Sequence, residues 1–369
     1  MRKHHPENER IKRKYFVFLQ EAKRQSESSV DQVAKAISRF EVFTKWKSFK
    51  AFHFEQAVAF KAYLARQPNE ATGRPLSKAT LNSTVRALKT FFQWLAMQPG
   101  YKSKVSYTDA EYFNLSEKDA RIASAKRLRP VPTLEQVKHV LGRMPADTVV
   151  QRRDQAVLAF ILLSGVRDSA ASSLKLKHVD VEAGYVFQDA REVNTKASKT
   201  IASYFFPVGD EVVRIVREWV HYLRQVMMFG NDDPLFPKTQ VALGERQVFE
   251  AVGISREHWS NATPIRRIFR NAFETAGLDY YNPHSIRNTL AQLGETVCRT
   301  PEEFKAWSQN LGHDSVRVTF DSYGEVQPRR QAEILSTLGE ANGVRDETDW
   351  EKLGVAIARE LHKQRRKAS

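Results

Sequence analysis

Cysteine is almost absent: Cys298 is the only one in 369 residues. That excludes an internal disulfide and any zinc site built from several thiolates. Long apolar runs are missing too, since no stretch approaches the roughly 20 residues a membrane-spanning helix needs. The opening MRKHHPENERIKRKYF has no apolar centre of the kind a secretory leader carries. There is no Gly-rich loop of the Walker type and no carboxylate cluster suited to a pair of divalent ions. Chemistry with neither ATP nor metal, and no cofactor, is therefore expected. Internal repeats and low-complexity tracts are also lacking. Acidic residues are in deficit, with 43 Asp and Glu against 58 Lys and Arg, a net charge of +15. Such an excess implies a polyanionic partner. With no candidate membrane span, the expectation is a cytoplasmic protein that binds nucleic acid, although charge by itself does not separate DNA from RNA.

The chain is longer than the roughly 250–300 residues at which single cores stop growing, so more than one domain is expected. Residues 1–105 read as a helical N-terminal domain. Ser29 and Gln32 have capping-box spacing ahead of Val33, Ile37 and Phe40. A helix after Ser77 lines Leu81, Val85, Leu88, Phe92 and Leu95 along one face until Pro99-Gly100 stops it. Beside that face run Lys78, Asn82, Arg86, Lys89 and Gln93. The stripe is either an ordinary solvated face or a surface for phosphates, and Lys78, Arg86 and Lys89 are its candidate DNA contacts. Residues 106–130 read as a basic linker, and Lys126, Arg127 and Arg129 near its end are further candidates.

Thr133 with Gln136 at capping-box offset opens a second domain, 131–340. Strand-like runs at 185–187 and 201–206 flank a polar turn at 194–199, which reads as a hairpin. Helices dominate afterwards, with Gly277 stopping one that begins near Pro264. Trp350, Leu353, Ile357 and Leu361 give 341–369 the pattern of an amphipathic helical tail, able to pack in cis, dock on a neighbouring subunit or stay loose. The fold class is thus mainly α with a small β-hairpin.

Within the second domain, segments with chemical potential recur in a definite order. Arg167 sits in SGVRDS, Lys196 and Lys199 in NTKASK, and His284 and Arg287 in PHSIR. In LGHDSVRVTFDSY, His313 precedes Tyr323 by ten positions. Taken singly, each has an ordinary explanation: a surface ion pair, a solvated turn, a chance His-x-x-Arg, a boundary tyrosine. Their order, spacing and local context carry more weight than any one of them.

This series resembles the tyrosine recombinase, or phage integrase, family. Ser-Gly-Val-Arg is similar to its first arginine box and NTKASK to its hairpin lysine. Pro-His-Ser-Ile-Arg is similar to its His-x-x-Arg box, and Leu-Gly-His with Tyr323 to its final box. The resemblance covers 131–340, and the helical region before it is similar in kind to a core-binding domain. It implies a mixed α/β integrase-type catalytic domain with Tyr323, Arg167, Lys196, His284, Arg287 and His313 as catalytic residues. Lys199 remains the reserve for the lysine. One departure is Ala170, which stands where many members carry an acidic residue three places after the first arginine; here Asp168 directly follows Arg167.

The chemistry gives these residue types a reason to occur together. Two guanidinium forks can grip the oxygens of one phosphate, and fixed cations stabilise the charge that grows there during displacement. A phenol with a reference pKa near 10 needs a cationic pocket to ionise at neutral pH. A lysine on a hairpin can protonate the leaving 5′ oxygen. The implied partners are double-stranded DNA, clamped between the two domains, and further copies of the chain: a tetramer on paired sites that exchanges strands through a Holliday junction, with a monomer possible in the absence of DNA. Two other readings share much of this pattern. One is a DNA-binding protein of the same fold that has lost the chemistry. The other is a type IB topoisomerase or telomere resolvase.

Overall fold

The structure is a computed structural model that describes residues 4–69, 73–125, 130–243 and 248–313, with Ala197 described by its backbone alone. The chain divides into two compact units, Met1–Arg127 and Leu128–Ser369. No helix among the described residues is long and apolar enough to cross a membrane.

The first unit contains α1 (Pro6–Val17), α2 (Glu27–Phe43), α3 (Phe54–Ala65), α4 (Lys78–Ala96) and α5 (Glu117–Ser124). Its core is aromatic. Phe52 and Phe92 stack with ring centroids 3.8 Å apart, and Phe40, Phe60 and Phe113 close around them. Each fully buried ring of this size contributes roughly 1.5–3 kcal/mol of transfer free energy, so this cluster is the main stabilising element of the unit. Helix α4 starts as its sequence implies, with Ser77 Oγ accepting from the Thr80 N–H. Helix α2 does not begin at the Ser29–Gln32 box. It starts three residues earlier, behind Ser26, and Ser29 lies inside its first turn with its hydroxyl bonded to Ser26 Oγ.

Residues read as the start of a linker have a different role. Residues Thr108–Phe113 form a 3₁₀ turn that buries Ala110 and Phe113, and α5 follows it onto α4. Electrostatics explains the docking. Lys89 pairs with Glu111 at 2.6 Å and Lys78 with Asp119 at 2.8 Å. Two of the three basic candidates on α4 therefore face carboxylates of their own chain, while Arg86 stays exposed. Lys126, Arg127 and Arg129 lie outside the described residues, as does the tail at 341–369.

The second unit holds α6 (Leu134–Arg143), α7 (Val149–Ser164), α8 (Asp168–Ala171), α9 (Asp210–His221), α10 (Thr263–Thr275), α11 (Pro283–Val297) and α12 (Pro301–Asn310). Thr133 and Gln136 form the expected reciprocal capping box, and Gly277 follows the end of α10. Helix α7 is the spine: residues 156–163 are fully buried, and α6, α9, α10 and α11 pack around it. The expected hairpin is present as β2 (Tyr185–Gln188) and β3 (Ile201–Tyr204), antiparallel with Tyr185 opposite Tyr204. A short β1 (Val179–Asp180) extends this sheet to the order β1-β2-β3.

The expectation that only helices follow needs correction, because β4 (Thr239–Leu243) and β5 (Phe249–Ile254) form a second antiparallel hairpin. Its continuous run Val241-Ala242-Leu243 lacks the polar alternation that marks a half-buried strand, and all three residues are exposed.

Helix α12 crosses α11 at a point where only glycine fits. A β-carbon on Gly294 would lie 2.6 Å from Trp307 Nε1, which itself donates to the Leu290 carbonyl at 2.9 Å. Gly294→Ala should therefore lower unfolding free energy by about 1–3 kcal/mol, as overpacking does. A urea titration checks it, and an unchanged midpoint would contradict the packing described.

Candidate active site

Three chain segments meet at the ends of α7 and α12 and the start of α11. Helix α7 ends at Gly165, whose φ of +65° is left-handed, a conformation glycine adopts without penalty. A β-carbon there would also stand 3.0 Å from both Leu311 and Phe206. The glycine thus turns the chain sharply and leaves Arg167 at the N-cap of α8. Asn282 caps α11 by accepting from the Ser285 N–H, and Pro283 occupies the first helical turn. That start presents His284 outward and turns Arg287 inward, where it is 3% exposed.

Arg287 joins the segments. Its Nη1 donates to the Gly165 carbonyl and its Nη2 to the Leu311 carbonyl. Nη2 also lies 3.4 Å from His313 Nε2. A guanidinium has no acceptor, so in this contact Nε2 must offer its lone pair, which makes His313 a neutral imidazole protonated at Nδ1. Burial pushes the His313 pKa down to about 4, aided by the charges of Arg287, Arg167, His284 and Lys196. Burial also lowers His284, assisted by Arg287, Arg167 and Lys196 and opposed by Asp168.

These shifts have a geometric meaning. Arg167, Lys196, His284, Arg287 and His313 lie within one another's electrostatic reach, although the sequence spreads them over nearly 150 residues. Lys196 opens a 3₁₀ turn, Lys196–Ser198, between β2 and β3, and is exposed. Ser198 holds a left-handed φ of +50°, which tightens that turn ahead of Lys199. The charge of Lys196 acts on both histidines. Tyr323 lies outside the described residues.

Two supporting residues carry no sequence signal that singles them out. Arg266 of α10 pairs with Asp168 at 2.8 Å, 98 positions away in the chain, and so ties down the residue next to Arg167. That contact gives the departure at Ala170 a physical context: the local carboxylate sits directly after the arginine and is held from another helix. Asn310, just ahead of the Leu-Gly-His segment, bonds to Tyr204 of β3.

The site has a pH signature. The unfolded chain binds a proton at His313 near the ordinary imidazole value of about 6.5, whereas the folded site holds that group at about 4. Between those values the unfolded state takes up more protons, so stability falls as pH drops through the window. Melting curves from pH 7 to pH 4 should show a shallower loss for His313→Asn than for the wild type. Equal slopes would contradict the burial of a neutral ring.

Among the described residues, guanidinium, imidazole and ammonium groups gather here with no carboxylate at their centre, an arrangement suited to a phosphodiester and poorly suited to a metal ion. Comparison with known proteins agrees with that chemistry. Residues 133–330 match the model of the phage integrase family. The chain is 22% identical to the tyrosine recombinase XerC of Natranaerobius thermophilus, over 87% of this chain and 96% of that protein. Among solved structures it is similar to a lambda integrase dimer bound to a COC′ core site. That match has a TM-score of 0.57 and 15% identity, and covers 87% of this chain and 81% of the other. It is also similar to the XerH site-specific recombinase bound to a palindromic difH substrate, with a TM-score of 0.56 and 18% identity over 83% and 79% of the two chains. Those structures share its fold, and the family model spans more than half of its sequence: the chain belongs to the phage integrase family of tyrosine recombinases.

Proposed function

We propose that this protein is a site-specific DNA recombinase that cuts and rejoins duplex DNA through a 3′-phosphotyrosine intermediate, with Tyr323 as nucleophile. The observation that carries the reading is the convergence of Arg167, Lys196, His284, Arg287 and His313 on one cationic pocket. The position of Tyr323, ten residues beyond His313 and inside the matched family region, supports its role.

In this mechanism the phenolic oxygen attacks the scissile phosphorus and the bond to the 5′ oxygen breaks. Arg167 and Arg287 supply fixed positive charge where negative charge develops, and no other group in the pocket stabilises the transition state as much. His284 and His313, neutral at pH 7, act through hydrogen bonds, and either can take the phenol proton. Lys196 donates a proton to the departing 5′ oxygen. The phosphotyrosine ester conserves the bond energy until the 5′ hydroxyl of another strand attacks it, so rejoining needs no external energy source. Four protomers on two paired sites exchange strands through a Holliday junction, acting on DNA in the cytoplasm.

The test is covalent trapping. Purified full-length protein is incubated with fragmented, randomly nicked DNA from its host and denatured, and the DNA that stays attached is sequenced. One recurrent site joined through its 3′ end supports the reading. A complete absence of adducts points to a silent DNA-binding protein, and adducts scattered without sequence preference point to a topoisomerase. Duplex binding should also weaken by about 10³-fold or more between 50 and 200 mM salt, as it does when six or more phosphates are neutralised. A flat salt response would contradict DNA as the partner.

A further inference from the structure

We propose that Asn310 is a positioning residue whose side-chain amide registers the hairpin carrying Lys196 against the 311–313 turn, so that the lysine reaches the leaving 5′ oxygen. The inference rests on the assignment of Lys196 as the proton donor made above.

The contact has the geometry of a strand pairing. In the order β1-β2-β3, β3 is an outer strand. The Phe205 N–H donates inward to the Gly184 carbonyl at 2.8 Å, and the alternation of an antiparallel ladder turns the N–H and C=O of the preceding Tyr204 outward. Asn310 meets both: its Oδ1 accepts from the Tyr204 N–H at 2.6 Å, and its Nδ2 donates to the Tyr204 carbonyl at 2.8 Å. One primary amide thus stands in for a peptide unit of a missing fourth strand.

Two residues later the chain touches the other end of β3. Gly312 has a φ of +69°, and a β-carbon on it would lie 3.0 Å from Ile201 Cδ1. The 310–312 segment is therefore laid along the whole of β3, from Tyr204 to Ile201. The turn bearing Lys196 leads directly into Ile201, and His313 follows Gly312. Leu311, between the two contacts, gives its carbonyl to Arg287. The anchor behind Asn310 is rigid, because Trp307 packs on Phe206 with ring centroids 4.8 Å apart and bonds to Leu290. Tyr204 itself is 61% exposed, so a doubly hydrogen-bonded amide at this surface adds little to global stability. Its consequence is register: the hairpin cannot slide or lift away from the turn that holds His313 and the Arg287 acceptor.

The discriminating experiment exploits the leaving group. On the ordinary substrate a P–O bond to Tyr323 forms, the P–O5′ bond breaks, and O5′ takes both the bonding electrons and the Lys196 proton. When a bridging sulfur replaces O5′, the thiolate leaves without needing a proton. Wild type, Asn310→Ala, Asn310→Asp and Lys196→Ala are compared in single-turnover cleavage of a nicked duplex bearing the site recovered by trapping, in oxygen and sulfur forms. Asn310→Ala should cut the oxygen substrate about 10²-fold more slowly, the scale on which small misplacements act, and the sulfur substrate near the wild-type rate. Lys196→Ala should show the same pattern with a larger oxygen-substrate defect. Asn310→Asp is isosteric, keeps the acceptor and loses only the Nδ2 donor; it should give a smaller, equally rescued loss, and it decides the matter if Asn310→Ala is unfolded. Unchanged cleavage of the oxygen substrate by the Asn310 variants overturns the proposal. So does an equal loss on both substrates while Lys196→Ala is rescued. Failure of sulfur to rescue Lys196→Ala overturns instead the lysine assignment on which the proposal rests.

Discussion

Tyr323→Phe forms no covalent adduct with DNA yet binds duplex with nearly wild-type affinity. The expectation follows from removing a single oxygen. Phenylalanine keeps the ring and its packing, so the cationic pocket and its attraction for phosphate persist, while no atom remains that can bond to phosphorus. The loss should be complete on a nicked suicide substrate, where religation cannot mask cleavage. Native gel shifts report binding and denaturing gels report the adduct. A denaturant-resistant adduct in the variant would mean that another side chain attacks.

Arg287→Lys should lower the single-turnover cleavage rate by at least about 10³-fold even though the charge is retained. One ammonium cannot reproduce a planar fork whose two terminal nitrogens hold the carbonyls of Gly165 and Leu311. Lysine satisfies one carbonyl and leaves the other buried and unpaired, at about 1–3 kcal/mol of stability. The larger effect is on geometry. Arg287 ties the segment that sets Arg167 to the segment that sets His313, and loosening both misplaces groups that act only when pre-aligned. Denaturant unfolding measures the loss of stability, and quenched-flow cleavage measures the loss of rate. Cleavage close to the wild-type rate would show that positive charge alone suffices and that the fork has no organising role.

How much of the fold and site is legible in the sequence depends on whether the determinants are local. The capping box at Thr133 and Gln136, the stop at Gly277 and the apolar face of α4 are written within a few residues of where they act, and each occurs where the pattern implies. The β2–β3 hairpin is equally readable, because β-rich runs flank a polar turn. Local signals can also compete: at α2 Ser26 starts the helix although Ser29 and Gln32 have the spacing of a box.

Other features depend on partners remote in sequence. The polarity of 106–125 reads as linker, but Glu111 and Asp119 are polar because they answer Lys89 and Lys78 across a helix surface. The β4–β5 hairpin shows apolar side chains to solvent, so the inside–outside alternation that betrays a strand is missing. For the site, residue types and order point to the candidates, whereas their support is invisible. No spacing rule relates Arg266 to Asp168, Arg287 to the Gly165 carbonyl, or Asn310 to an open strand edge. Those contacts exist only once α7, α10, α11 and α12 have packed.

If a phenol beyond the Leu-Gly-His turn is delivered to a phosphate held by this cationic pocket, the atom that becomes attached to DNA is fixed, and locating it is the decisive measurement. The trapped protein–DNA complex is digested with nuclease and protease, and the nucleotide-bearing peptide is sequenced by mass spectrometry. The expected result is a 3′-linked nucleotide on Tyr323 and a free 5′ hydroxyl on the released strand. A nucleotide on any other residue, or a linkage through the 5′ end, would contradict this mechanism.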